Sequence, residues 1–185
     1  VASPYGFASS AYSYGEIAYN HGNYGTTQPT VSIGSSTAYA SMFPCTLGGG
    51  GGTPYETKAS GSVQVINDPG GSSRPAYLKI TESGTYRISA NVALQGTSNT
   101  SIEVEVFRQN SGSVPSLGSW VTFTHDLESL STALSVTNTQ YDAGAVTGIY
   151  DLNANDYIAL MSRVVSGSSS NQKVICLNLN IQRIK

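Results

Sequence analysis

Residues 84–94 read Gly-Thr-Tyr-Arg-Ile-Ser-Ala-Asn-Val-Ala-Leu, and the alternation within them decides the fold class. Tyr86, Ile88, Ala90, Val92 and Leu94 share one side of an extended chain, and Thr85, Arg87, Ser89 and Asn91 share the other. Successive side chains of a strand point to opposite faces, so period two with one apolar face predicts a half-buried β-strand. Residues 101–107 repeat the pattern, with Ile102, Val104 and Val106 inward and Glu103 and Glu105 on an exposed strand face. Near the end of the chain Ile175, Leu177, Leu179 and Ile181 form another apolar row. Cys176, Asn178 and Asn180 lie opposite, which places Cys176 at solvent or at a subunit contact.

Outward from these segments, strands are predicted over residues 62–66, 76–80, 120–123, 147–152 and 157–165, and over 173–184 around the last apolar row. Residues 28–47 hold one or two more, marked by Val31, Ile33, Tyr39 and Met42, while 127–134 reads as a short helical turn or an irregular connection. Pro69-Gly70-Gly71, the five glycines of 48–52 and the Gly/Ser/Pro-rich stretch 108–119 separate them. Only 11% of residues are charged, too few for the wet faces of several helices. About eight to ten short strands joined by such turns imply an all-β antiparallel sandwich or barrel.

Residues 1–26 differ in kind from residues 27–185, which carry the patterned domain. Tyr5, Phe7, Tyr12, Tyr14, Tyr19 and Tyr24 are scattered among Gly, Ser, Ala and Asn, and Glu16 is the sole charge before Glu56. Tyrosine gives a large contact area with a polar tip and little rotamer entropy to lose. These aromatics are therefore the candidate partner-binding residues of an extended N-terminal arm. The alternatives are a tail without a partner, or a first strand packed on its own domain.

Two further segments carry a resemblance. Ile80-Thr81-Glu82-Ser83-Gly84-Thr85-Tyr86 leads into the first strand, and Leu152-Asn153-Ala154-Asn155-Asp156-Tyr157-Ile158-Ala159-Leu160 leads into a later one. Together they resemble the tumour-necrosis-factor-like jelly roll, including the globular heads of the complement first component. That superfamily shows a Gly-x-Tyr opening a central strand and later a short turn ending in Gly-Asp before an apolar strand. The resemblance spans residues 60–185 and implies a jelly-roll sandwich with Tyr86 in the core, and a homotrimer packed through one sheet. Asn155 stands where the superfamily has Gly, a replacement that works because Asn also visits positive φ. The sequence as given has neither a collagen stalk nor a basic-then-apolar leader, although processing upstream of Val1 would remove the latter.

Chemistry is sparse. Net charge is −2 with no run of Lys or Arg, which argues against nucleic acid as a partner. No apolar run is long enough to span a membrane. His125 stands beside Asp126, but no Gly-x-Ser-x-Gly elbow accompanies it, and no acid pair is singled out for glycoside cleavage. No catalytic residue and no cofactor is expected. Asp151, Asn153, Asn155 and Asp156 place oxygen donors like the start of a calcium loop, but Asp156 takes the turn-glycine position and Ser162 that of the bidentate Glu, so a plain turn is expected and no metal. Asn99-Thr100-Ser101 matches a glycosylation acceptor and reads as an ordinary turn. Cys45 and Cys176 are two free thiols or one disulfide.

Trimeric jelly rolls with N-terminal arms are common on viral particles. The resulting expectation is a non-enzymatic structural virion protein made in the host cytoplasm. It would be a capsid decoration (cement) or head-fibre protein that binds and stabilises the outer surface, its partner the major capsid protein or neighbouring virion subunits. The alternatives are a receptor- or glycan-binding fibre head, with surface glycan held by loops 108–119 and 166–172, and a secreted signalling or recognition head of the same fold.

Overall fold

The computed structural model describes residues 13–20, 29–43, 55–68, 75–96, 99–110, 120–122, 124–125, 128–137, 140–168 and 171–185. In chain order the strands are β1 (Tyr14–Asn20), β2 (Thr30–Val31), β3 (Ala40–Ser41), β4 (Tyr55–Ser60), β5 (Val63–Asn67), β6 (Pro75–Ile80), β7 (Gly84–Gln95) and β8 (Thr100–Gln109). They continue as β9 (Val121–Thr122), β10 (Thr124–His125), β11 (Glu128–Ser129), β12 (Ser131–Val136), β13 (Tyr141–Leu152), β14 (Tyr157–Gly167) and β15 (Gln172–Arg183). Two antiparallel sheets form a jelly-roll sandwich. Sheet A runs β13-β7-β15-β1-β4, with β2 beside β15. Sheet B runs β12-β8-β14-β6-β5, with β3 beside β14 and β9 beside β8. The short β10 and β11 pair with each other. No helix long and apolar enough to cross a membrane occurs among the described residues.

The alternating segments supply the core as expected. Ile88, Val92 and Leu94 of β7 meet Ile102, Val104 and Val106 of β8 between the sheets, all nearly or fully buried. Burying each such side chain contributes about 1.5–3 kcal/mol relative to leaving it wet. Tyr86 is fully buried among them. A phenol in that position needs a partner for its hydroxyl. Its oxygen lies 2.7 Å from Ser62 Oγ and donates to the Glu82 carbonyl at 2.6 Å, tying β7 to two turns.

Gly84 leaves room for a close backbone approach. A Cβ there would stand 2.5 Å from the carbonyl oxygen of Lys185, because the chain end packs directly on the start of β7. The Thr85 amide donates to that same carbonyl at 3.0 Å.

Several boundaries differ from expectation. Residues 14–20, inside the segment assigned to an arm, form β1, paired with both β15 and β4. The first-strand alternative is thus what these residues adopt, and Ile17 and Tyr19 enter the main core. Residues 131–136, within and just beyond the segment read as helical or irregular, are strand β12. Strand β13 begins at Tyr141, six residues before the expected strand at 147, because Ala, Gly and Asp there have low strand preference and the pairing with β7, with the bond from the Ser135 amide to Asp142, holds them extended. In β15 a register shift between Val174 and Cys176 sends Val174 fully into the core and leaves Ile175 half-buried, so Ile175 does not lead the apolar row.

Replacing Tyr86 by Phe keeps the ring and removes the hydroxyl. Unfolding by denaturant should show a loss of about 1–2 kcal/mol, the cost of leaving buried partners unsatisfied.

Candidate functional site

The two sheets present their outer faces differently. On sheet A, rows of side chains cross four strands in register. One row is Ala18, Asn178, Asn91 and Ala145; the next is Glu16, Asn180, Ser89 and Thr147; a third is Tyr14, Gln182, Arg87 and Ile149. Across these four strands Glu16 and Arg87 are the charges, and on the edge strand β4 the first two rows continue into Glu56 and Lys58. The polar groups bond along the face: Asn178 Nδ2 donates to Glu16 Oε1 at 2.5 Å, Asn180 Nδ2 to Asn178 Oδ1 at 2.9 Å, and the Ser89 and Thr147 hydroxyls lie 2.9 Å apart. Arg87 Nη2 donates to Gln182 Oε1. At the rim, on β13, Ile149 is 59% exposed and Tyr141 69%. Asn and Ala are depleted in strands, so strand preference does not explain the middle of this face, where the rows over β7 and β15 carry few of the charges that keep a wet sheet apart from other sheets.

Sheet B is covered outside as well as inside. Tyr77, Phe107, Trp120, Tyr157 and Met161 form a second apolar cluster on its outer face, with Tyr39 packed against it. Tyr39 meets Phe107 edge-on, ring centres 4.7 Å apart, and Tyr77 lies 5.3 Å from Trp120. This corrects the expected exposure of Glu103 and Glu105. They do point away from the main core, but Glu105 is only 7% exposed, because the segment around Tyr39 lies over them. Arg163 Nε donates to Glu103 Oε2 at 2.6 Å, the Tyr39 hydroxyl donates to the same oxygen at 3.2 Å, and the Arg163 guanidinium sits 4.9 Å from the Tyr39 ring centre. Burial raises the Glu105 carboxyl above the ordinary carboxylate range, against a bond from the Tyr39 hydroxyl and aided by its neighbour Glu103. Burial pushes Glu103 the same way, but the bonds with Arg163 and Glu105, with a smaller part from Tyr39, outweigh it and hold Glu103 low.

The residues singled out as partner-binding do not gather. Tyr19 is buried in the core at 4% exposure. Tyr14 is half-buried on the outer face of sheet A, its phenol pushed above the ordinary range by burial and by Glu16. Tyr5, Phe7, Tyr12 and Tyr24 lie outside the described residues, as do His21, Cys45, the glycines of 48–52 and most of loop 108–119. Cys176 is a free, exposed thiol on the outer side of β15, where its position in the alternation placed it. Asn99 is exposed in a bend before β8.

The oxygen-rich stretch before β14 is a turn. Asn155 takes φ 71°, as its replacement of Gly required. Asp156 is buried and accepts the Asn153 amide at 2.9 Å, while Asp151 accepts the Thr85 hydroxyl at 2.7 Å. These carboxylates face separate partners, and among the described residues no three His, Cys, Asp or Glu side chains gather as a metal site.

This arrangement of strands defines the protein as an antiparallel jelly-roll sandwich. The particular likeness is to tumour-necrosis-factor-like proteins. Murine APRIL at pH 5.0 matches with a TM-score of 0.53 and 11% identity, over 94% of this chain and 99% of that one. Eiger TNF from S. frugiperda matches with a TM-score of 0.55 and 10% identity, over 94% and 93%. No family model and no curated protein matches the sequence. At such identities the likeness is one of fold.

Replacing Asn155 by Val should cost about 1–3 kcal/mol, since a β-branched residue is strained at positive φ, whereas Gly there should be nearly neutral. Thermal melting of the two variants checks this, and added calcium should leave the wild-type midpoint unmoved.

Proposed function

We propose that this chain is a non-enzymatic homotrimeric head that assembles through the outer face of sheet A and serves as a structural module of a larger particle. One observation carries the reading: the rows through Ala18–Asn178–Asn91–Ala145 and Glu16–Asn180–Ser89–Thr147 are mostly small and hydrogen-bonding, with Glu16 the one charge among these eight residues. Each Asn amide offers two donors and a carbonyl with two lone pairs, and the bonds within the face use part of that capacity. A second copy can use the rest, and little like-charge repulsion opposes its approach. The tumour-necrosis-factor-like fold supports the same arrangement.

The particle in this proposal is a virion, the chain decorating its outer surface as a cement or head-fibre protein bound to capsid subunits. Tyr5, Phe7 and Tyr12 are then the anchors, since buried aromatic rings dominate interface energy and three copies multiply modest attachments. A second reading is a recognition or signalling head, favoured by the fold likeness to Eiger TNF. It differs in its partner, a receptor in place of a capsid.

Light scattering on the purified chain should give the mass of a trimer. Asn91→Arg, which adds a charge at the middle of the face, should yield folded monomers, while Gln64→Arg on exposed β5 should leave the trimer intact. A wild-type monomer, or a trimer indifferent to Asn91→Arg, sinks the proposal. Deleting residues 1–12 should leave the trimer folded, but deleting 1–26 also removes β1 and should destabilise the sheet.

A further inference from the structure

The contacts on the outer face of sheet B form a device that the proposed assembly does not use. Residues 34–43 cross this sheet as a strap. The backbone pins both ends: the Gly34 amide donates to Ser162 O at 3.2 Å, the Val164 amide to Gly34 O at 2.9 Å, and the Met42 amide to Leu160 O at 2.9 Å. Met42 and Phe43 are buried. Between the pins, Ser35, Ser36, Thr37 and Ala38 are exposed. Tyr39 is the side chain that ties this open stretch to the sheet, through Phe107, Arg163 and the hydroxyl bond to Glu103.

Beneath Tyr39 the hydrogen bonding is incomplete. Glu105 Oε2 is buried and has no hydrogen-bond partner among the described residues. A buried carboxylate oxygen with no donor is costly, and a second carboxylate, Glu103, sits two residues along the same strand face. The titratable or charged groups around Glu105 are Glu103 on its own strand, Arg163 from β14 and Tyr39 from the strap. Strand β12, on the other side, brings Ser131 opposite Glu105. Arg163 is engaged by Glu103, so one cation serves two carboxyls.

We propose that Glu103 and Glu105 share one proton and act as a pH-sensitive latch on the strap, closed when Glu105 is protonated and loosened when both are ionised. A protonated Glu105 becomes a donor as well as an acceptor and ceases to repel Glu103 under Tyr39. Burial favours that form, so the folded carboxyl titrates above its unfolded counterpart. The contribution of Glu105 is therefore full below the ordinary carboxylate range and lost as pH rises through its raised value. Glu103 behaves oppositely: its contribution is present above the ordinary range and lost only at lower pH. The latch is tightest in the window between the two titrations, which brackets the ordinary carboxylate range.

The test is hydrogen exchange of the amides of residues 35–41, corrected for intrinsic rates, in the intact chain at about pH 5 and about pH 8. In wild type the corrected opening should increase on going to the higher pH, about tenfold for each unit by which the Glu105 pKa is raised. Glu105→Gln, neutral at both values, should hold opening low and flat. Carboxyl NMR on the wild-type chain gives a second readout that needs no variant. Glu105 titrating above the ordinary range and Glu103 below it supports the latch. Glu105 titrating at the ordinary value, or a Glu105→Gln chain whose strap keeps the wild-type pH dependence, overturns it.

Discussion

A sheet with one face in a core has another face to cover, and this chain treats its two sheets in opposite ways. Sheet B is closed by its own polypeptide. Strand β14 shows the consequence: Ile158, Leu160 and Val164 serve the main core while Tyr157, Ala159 and Met161 serve the outer cluster, giving a run of apolar residues without alternation. Sheet A has no such cover among the described residues. Its outer surface is instead built from short amides, hydroxyls and alanines locked into lateral rows. The proposed assembly follows from that asymmetry, since the middle of the uncovered sheet, over β7 and β15, has little charge to keep a neighbour away.

Much of this was legible in the sequence where a residue's environment is set by its own strand. The alternation through Tyr86 and Leu94 gave the inward face of β7, and the alternation of β15 gave the outward position of Cys176. Asn155 was readable because left-handed backbone restricts residue type directly. What escaped was set by distant partners. Glu105 alternates like an exposed residue and is buried where Tyr39, 66 positions earlier, folds over this part of the sheet. The bulge beside Val174 depends on how β15 is matched to β7. Strand β1 has the composition of a loop and is held extended by β15 on one side and β4 on the other. Of the aromatics expected to bind a partner, Tyr19 fills the core, and the rows on sheet A drew attention only once four strands were placed side by side.

The charged groups that can be traced serve mainly to fix geometry. Asp156 shapes a turn, Arg183 meets Glu82 at 2.7 Å beside the chain end, and Arg163 joins strap to sheet through Glu103. Exposed ion pairs of this sort contribute little stability. Their value here is positional, which suits a fold whose cohesion comes from apolar layers.

The last strand also carries a consequence for how the molecule comes into being. Strand β15 lies between β7 and β1, so the middle of sheet A is completed by the final residues of the sequence given. Until they arrive, β7 and β1 each expose an unpaired backbone edge, and the contacts that close the sheet span nearly the whole chain length. Loops of that size are slow to close, and open edges invite pairing with other chains. The nascent chain is therefore most prone to misassociation before β15 emerges, and a version lacking that strand should aggregate rather than fold to a smaller domain.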